Sequence, residues 1–187
     1  MPRFARLLLV AVLLAAVLLA GKAARAQAPA PPAPAAPASP DANVANKEIV
    51  RHYLQILSGG TLDALDQVVG PDFADRTPGV PGNLHGPDTI RDSQRRAREL
   101  FQDIRYIVDD LIAEGDRVAA RYTVRAIRKG NGGSGKPVEV TGITIFRIAD
   151  GKIRETWVVN DQIELFHQLG FTIQPPKTEP SKPASPP

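Results

Sequence analysis

Cysteine is absent from this 187-residue chain, which excludes disulfides, a thiol nucleophile and a lipidated N-terminal cysteine. The domain must therefore hold itself together by packing alone. Histidine occurs three times, at widely separated positions 52, 85 and 167, so there is no metal-spaced histidine cluster and no Ser/His/Asp pattern. Neither a metal nor a cofactor is expected. The NGGSG run at 131–135 lacks the strand-to-helix setting that a phosphate loop needs, and a nucleotide site is rejected. Excess charge is missing too. Four of the 23 basic residues (Arg3, Arg6, Lys22 and Arg25) lie in the first 26 positions, where there is no acid; the remaining 19 face 20 acidic residues. A nearly neutral body gives no reason to expect nucleic acid as a partner.

Residues 1–26 have the three parts of a secretory signal: a basic start, the apolar run LLLVAVLLAAVLLA, and Ala24-Arg25-Ala26 before Gln27. The 14 apolar residues at 7–20 make a helix of about 21 Å, short of a roughly 30 Å hydrocarbon core. The expectation is export to the periplasm or medium after cleavage near Ala26, with membrane association only through an uncleaved signal-anchor. Residues 27–41 form a Pro/Ala-rich linker and residues 174–187 a Pro-rich disordered tail. Between them, residues 42–173 form one domain.

Asp150-Gly151 is the dipeptide favoured in a two-residue type I′ turn, and it is expected to join strands VEVTGITIFRIA and KIRETWVV. An unbroken ladder then opposes Ala149 to Lys152, Ile148 to Ile153, Phe146 to Glu155 and Thr144 to Trp157. Opposed residues share a face, so Trp157 and, two steps beyond Val159, Asp161 are expected on the face of Thr144 and Phe146. A carboxylate losing solvent beside a tryptophan has the raised pKa of a general acid/base. The competing role for Asp161 is the N-cap of DQIELFHQL, which lowers the pKa instead.

The run DGKIRETWVVNDQIELFHQLG, with Trp157 and Asp161 in W-x-x-x-D spacing and Gln168-Leu169-Gly170 at its end, resembles the SnoaL-like polyketide cyclase (ester cyclase) branch of the nuclear transport factor 2-like (NTF2-like) superfamily. The likeness extends upstream through PDFADRTPG and DLIAEGDRVAARYTVR, covering about Asn46 to Phe171. It implies an α+β cone in which three to four helices wrap a curved antiparallel sheet around an apolar pocket. It also implies a homodimer and, where members catalyse, an aldol cyclisation with the acid at Asp161 as general acid/base. Asp75-Arg76 stands where the family commonly has Asp-His; arginine is no base near pH 7, though it can bind a carboxylate or enolate. His85 is the other candidate for that role.

Four helices are read from spacing. Ile49, Val50, Tyr53, Leu54 and Leu57 form the stripe of a wall helix that stops at Gly59-Gly60, and Tyr53 can offer its hydroxyl to a pocket. Thr61 is expected to cap a short helix LDALDQVV. DTIRDSQRRARELF carries Ile90, Ala97 and Phe101 on one stripe, with Asp92–Arg96 and Arg95–Glu99 pairs stabilising a solvated face. The closing helix is expected to offer Ile163, Phe166 and Leu169 to the sheet. PDFADRTPGVPGNLHGPD, at 71–88, is expected to be irregular. Two functions of different class remain open. One is an exported, cofactor-independent cyclase, isomerase or hydrolase using Asp161, with Trp157, Phe146, Thr144, Tyr53, Arg76 and His85 contacting an apolar substrate. The other is a non-catalytic module that binds an apolar ligand or dimerises through the outer sheet face.

Overall fold

The computed structural model describes residues 40–78, 85–130 and 135–172. The expected leader, the linker up to Ser39, most of the NGGSG loop and the tail lie outside these residues. Helix α1 (Pro40–Leu57) buries Val50, Tyr53, Leu54, Ile56 and Leu57, the expected stripe with Ile56 added, while Ile49 is only half-buried. The helix begins nine residues before the first residue of that stripe. A 3-10 segment (Leu62–Gln67) follows, and Thr61 makes no side-chain cap to it. Strand β1 (Val69–Asp75) then occupies part of the stretch expected to be irregular. Helix α2 (Pro87–Leu100) leads directly into strand β2 (Phe101–Glu114), which continues through β3 (Arg117–Arg128), β4 (Lys136–Ala149) and β5 (Lys152–Asn160) to the short helix α3 (Gln162–Gln168).

The fold is α+β. One curved, open sheet in the order β1-β5-β4-β3-β2 packs against helices on its inner face. Pairings among β2 to β5 are antiparallel, as expected, but β1 lies parallel to β5, so the sheet is mixed. The strand was missed because VGPDFAD carries Pro71 and two acids; an edge position tolerates both.

Asp150 (φ 52°) and Gly151 (φ 68°) form the expected left-handed turn, and Ala149 opposes Lys152 and Ile148 opposes Ile153. Beyond this the expected register fails. Arg154 is an extra residue on β5: Glu155 opposes Arg147, Thr156 opposes Phe146 and Trp157 opposes Ile145. A bulge of one residue sends every later side chain to the other face. Arg154 is anchored there through its guanidinium to Asp72 and, at 3.1 Å, to Asp150.

Inner-face side chains divide into two packed regions. The larger surrounds Val50, Leu65, Val118, Phe146 and Ile153, under α1 and the 3-10 segment. The smaller gathers Ile104, Ala126, Val138, Val140 and Leu165 beneath α3. On α3 it is Leu165 that is buried, while Ile163, expected inward, is 58% exposed, because a seven-residue helix packed on β4 presents only one side to the sheet. The arginines of α2 also depart from the expected solvated face. Arg91 is buried and paired with Asp66 and Asp88, both at 2.6 Å, and Arg98 donates to the carbonyls of Ile56 (3.2 Å), in the last turn of α1, and Gly60 (3.0 Å), just beyond it. Arg95 pairs with Asp92 at 2.9 Å rather than with Glu99.

Candidate ligand pocket

Where the smaller packed region ends, the inner face is left partly unfilled. A cavity of about 260 Å³ lies between the sheet, α2 and α3. Alternation along β3 places Tyr122, Val124, Ala126 and Arg128 on its floor, and Val138, Val140 and Ile104 come from the neighbouring strands. Helix α2 presents Ser93, Gln94 and Ala97 from one side, with helical spacing, and α3 adds Leu165, Phe166 and Leu169. Small side chains at Ala97 and Ala126 leave the space that larger residues would close.

Polar groups cluster at one end. The Tyr122 hydroxyl donates to Asn160 Oδ1 at 3.1 Å and shares a hydrogen bond with Thr144 Oγ1 at 2.9 Å. Gly142 opposes both Tyr122 and Asn160 in the sheet. A Cβ there would lie 2.1 Å from Asn160 Oδ1 and 2.9 Å from the Tyr122 ring, so only glycine permits this contact. Burial first of all, with a small contribution from Tyr106 and against the hydrogen bond to Thr144, pushes the Tyr122 hydroxyl up to about 12. Burial likewise raises Tyr106, opposed by its hydrogen bond with Gln94, and the two rings stand 5.6 Å apart. At neutral pH both tyrosines are neutral donors, not bases. Two amide atoms on residues that line the cavity lack a partner. Gln94 is 8% exposed, yet its Oε1 has no partner, and among the described residues Asn160 Nδ2 makes no hydrogen bond.

The residues picked out in the sequence do not all meet here. Thr144 reaches the cavity through Tyr122, while Phe146 and Tyr53 pack edge to face at 5.5 Å in the larger core. Trp157 lies on the outer face opposite Ile145, with the Arg117 guanidinium 5.3 Å over its ring. Arg76 lies outside the cavity lining and binds Glu155 at 2.9 Å. Burial alone would raise the Glu155 carboxyl, but hydrogen bonds from Arg147 and Arg76 outweigh it and hold the group below the usual carboxylate range. His85 is exposed and bridges through its backbone to Ala74. Asp161 is exposed at the start of α3, its Oδ1 accepting from the Glu164 amide at 3.0 Å. The bulge at Arg154 explains this parity: Asn160, one residue before Asp161, faces inward.

Tyr122, Asn160, Gln94, Gly142 and Arg128 escaped the sequence reading. Tyr122 was legible on the apolar face of its strand, and Gln94 as a polar residue among the stripe of Ile90, Ala97 and Phe101. Asn160 was hidden by the bulge.

An open curved sheet with helices packed over one face is the α+β arrangement of the NTF2-like fold. The model of the SnoaL-like polyketide cyclases matches residues 47–169, and the chain belongs to that family. Among solved structures, TsrD from Streptomyces laurentii is 28% identical over 68% of this chain and 96% of its own, with a TM-score of 0.59. IdmH from Streptomyces antibioticus is 25% identical over 67% of this chain and 99% of its own, with a TM-score of 0.60. A SnoaL-like polyketide cyclase from Agrobacterium tumefaciens shares the fold at 23% identity, covering 67% of this chain and 98% of its own, with a TM-score of 0.57. No curated protein matches the chain significantly.

Proposed function

We propose that this protein binds an apolar small molecule in the cavity between the sheet, α2 and α3, with a ligand carbonyl or hydroxyl directed at the Tyr122–Asn160 end. The observation that carries the reading is the pair of unpartnered amide atoms, Gln94 Oε1 and Asn160 Nδ2, on two residues that line an otherwise apolar space. An unpaired buried amide atom costs free energy that a ligand group can recover. Titrating a neutral ketone such as 2-acetylnaphthalene into isotopically labelled protein tests it. Shifts centred on Tyr122, Asn160 and Leu165 are expected, with affinity about tenfold weaker in Asn160→Ala; shifts centred elsewhere would refute the reading.

Proton transfer by Asp161 is a second reading, favoured by one observation. Asp161 directly follows the cavity residue Asn160 and keeps the W-x-x-x-D spacing. In that reaction the carboxylate removes a proton α to the ligand carbonyl, and Asn160 Nδ2, oriented by the Tyr122 hydroxyl on its Oδ1, donates to the enolate oxygen. Deuterium exchange into the same ketone, lost in Asp161→Asn, would support it. No exchange in either protein leaves binding as the function.

Export and self-association complete the proposal. The leader at 1–26 supports work outside the cytoplasm, and mass analysis of the mature chain should find it starting at Gln27. On the outer face Ile112 (65%), Ile143 (51%) and Val159 (73%) stay exposed beside Ile145 and Trp157, an apolar patch that supports association of two copies. Sedimentation should show a dimer that Ile145→Lys dissociates; a monomeric wild type would overturn this.

A further inference from the structure

We infer that the pocket is shaped for an elongated apolar carboxylate whose anionic end pairs with Arg128. This deepens the small-molecule reading above and rests on it. Arg128 is the one ionisable side chain besides the tyrosines among the residues lining the cavity, and no acid lines it.

Position sets the ligand's length. Arg128 lies six residues from Tyr122 on the same face of β3, about 20 Å along an extended strand. The cavity thus has hydrogen-bonding groups at one end and a cation at the other, with Val124, Ala126, Val138 and Val140 between them. A chain of roughly ten carbons matches that span once the reach of the arginine is allowed for.

Charge sets the ligand's chemistry. The other buried or half-buried arginines of the described residues all have partners. Arg91 has Asp66 and Asp88, Arg98 two carbonyls, Arg147 Glu155, and Arg154 Asp72 and Asp150; Arg117 lies over Trp157. Among the described residues Arg128 makes no side-chain hydrogen bond or ion pair. Across the ladder its partner in register is Lys136, whose ammonium donates to the Gln168 carbonyl, so the neighbouring strand adds a second positive charge. A guanidinium that has lost part of its water, with no protein anion beside it, favours an anion brought by the ligand, and its planar fork matches a carboxylate in bidentate geometry.

The test uses calorimetric titration of the chain and of Arg128→Gln with decanoate, 1-decanol and decyltrimethylammonium. The expected result is decanoate binding at least tenfold tighter than decanol and the cation weaker than both. Arg128→Gln should bring decanoate to the level of decanol while decanol itself is unchanged, which also shows that the variant keeps a folded pocket. Equal affinity of wild type for decanoate and decanol, or no change in decanoate binding on Arg128→Gln, would overturn the carboxylate site and leave the pocket reading standing. Failure of all three probes to bind would overturn both.

Discussion

Tyr122 and Asn160 meet across strand β4, the hydroxyl donating to the amide oxygen at 3.1 Å, over a glycine that separates them in the sheet. Gly142 is this contact's spacer, and a methyl group there would overlap both partners. Gly142→Ala should destabilise the protein by about 1–3 kcal/mol, the usual cost of overpacking, and weaken ligand binding at the same time. Chemical denaturation with parallel ligand titration measures both. Unchanged stability and binding would show that the sheet yields without consequence.

Glu155 links Arg76 and Arg147 from a position 7% exposed. Glu155→Gln leaves two guanidinium groups without their carboxylate and should cost about 2 kcal/mol, below the range for fully buried pairs because Arg76 is half in solvent. The sign of the pH effect follows from the lowered carboxyl. Its contribution is present above the unfolded carboxylate pKa and lost as pH falls through the folded value. Wild-type stability should therefore drop more steeply than that of Glu155→Gln as pH is lowered below about 4.5. Parallel acid-denaturation curves would contradict the pairing.

Tyr53, Tyr106 and Tyr122 all have hydroxyls raised from 10.0, Tyr122 to about 12, and burial is the main cause in each. Here the neutral form favours the folded state, so stability is intact below pH 10 and declines as pH rises from the unfolded pKa through the folded one. Ultraviolet titration of the folded protein should show little phenolate absorbance at pH 10, where unfolded protein is half ionised. A half-titrated folded spectrum there would show that the tyrosines are solvated.

Asp161 caps α3 through the Glu164 amide. Asp161→Ala should cost about 1 kcal/mol, whereas Asp161→Asn, an equally good cap, should stay within a few tenths of wild type. That contrast, read by thermal unfolding, makes the asparagine variant a clean probe of proton transfer. An equal loss in both variants would mean that the charge itself stabilises the helix end.

Local signals were legible wherever a few adjacent residues decide the backbone. Asp150-Gly151 specified its turn, Gly59-Gly60 ended α1, and Gly170, at φ 88°, ended α3. Alternation along β3 separated Tyr122 from its outward neighbours, and W-x-x-x-D with the closing helix marked the family. Parity across the hairpin was not legible. KIRETWVVN contains no glycine or proline to signal a bulge; Arg154 occupies that place because Asp72, 82 residues away in the chain, holds its guanidinium.

The sequence by itself determined the main helices, the turns, the hairpin of β4 and β5 and the family, because those depend on spacing and on residues close together in the chain. Tertiary structure alone decided which side of β5 faces the cavity, placing Asn160 inside and Asp161 at an exposed helix cap. It also decided that β1 joins the edge and that Arg91 and Arg98 serve as structural anchors while Arg128 is left unpaired among the described residues. Each of these follows from contacts between distant segments, where one inserted residue or one remote carboxylate reverses the face that periodicity assigns.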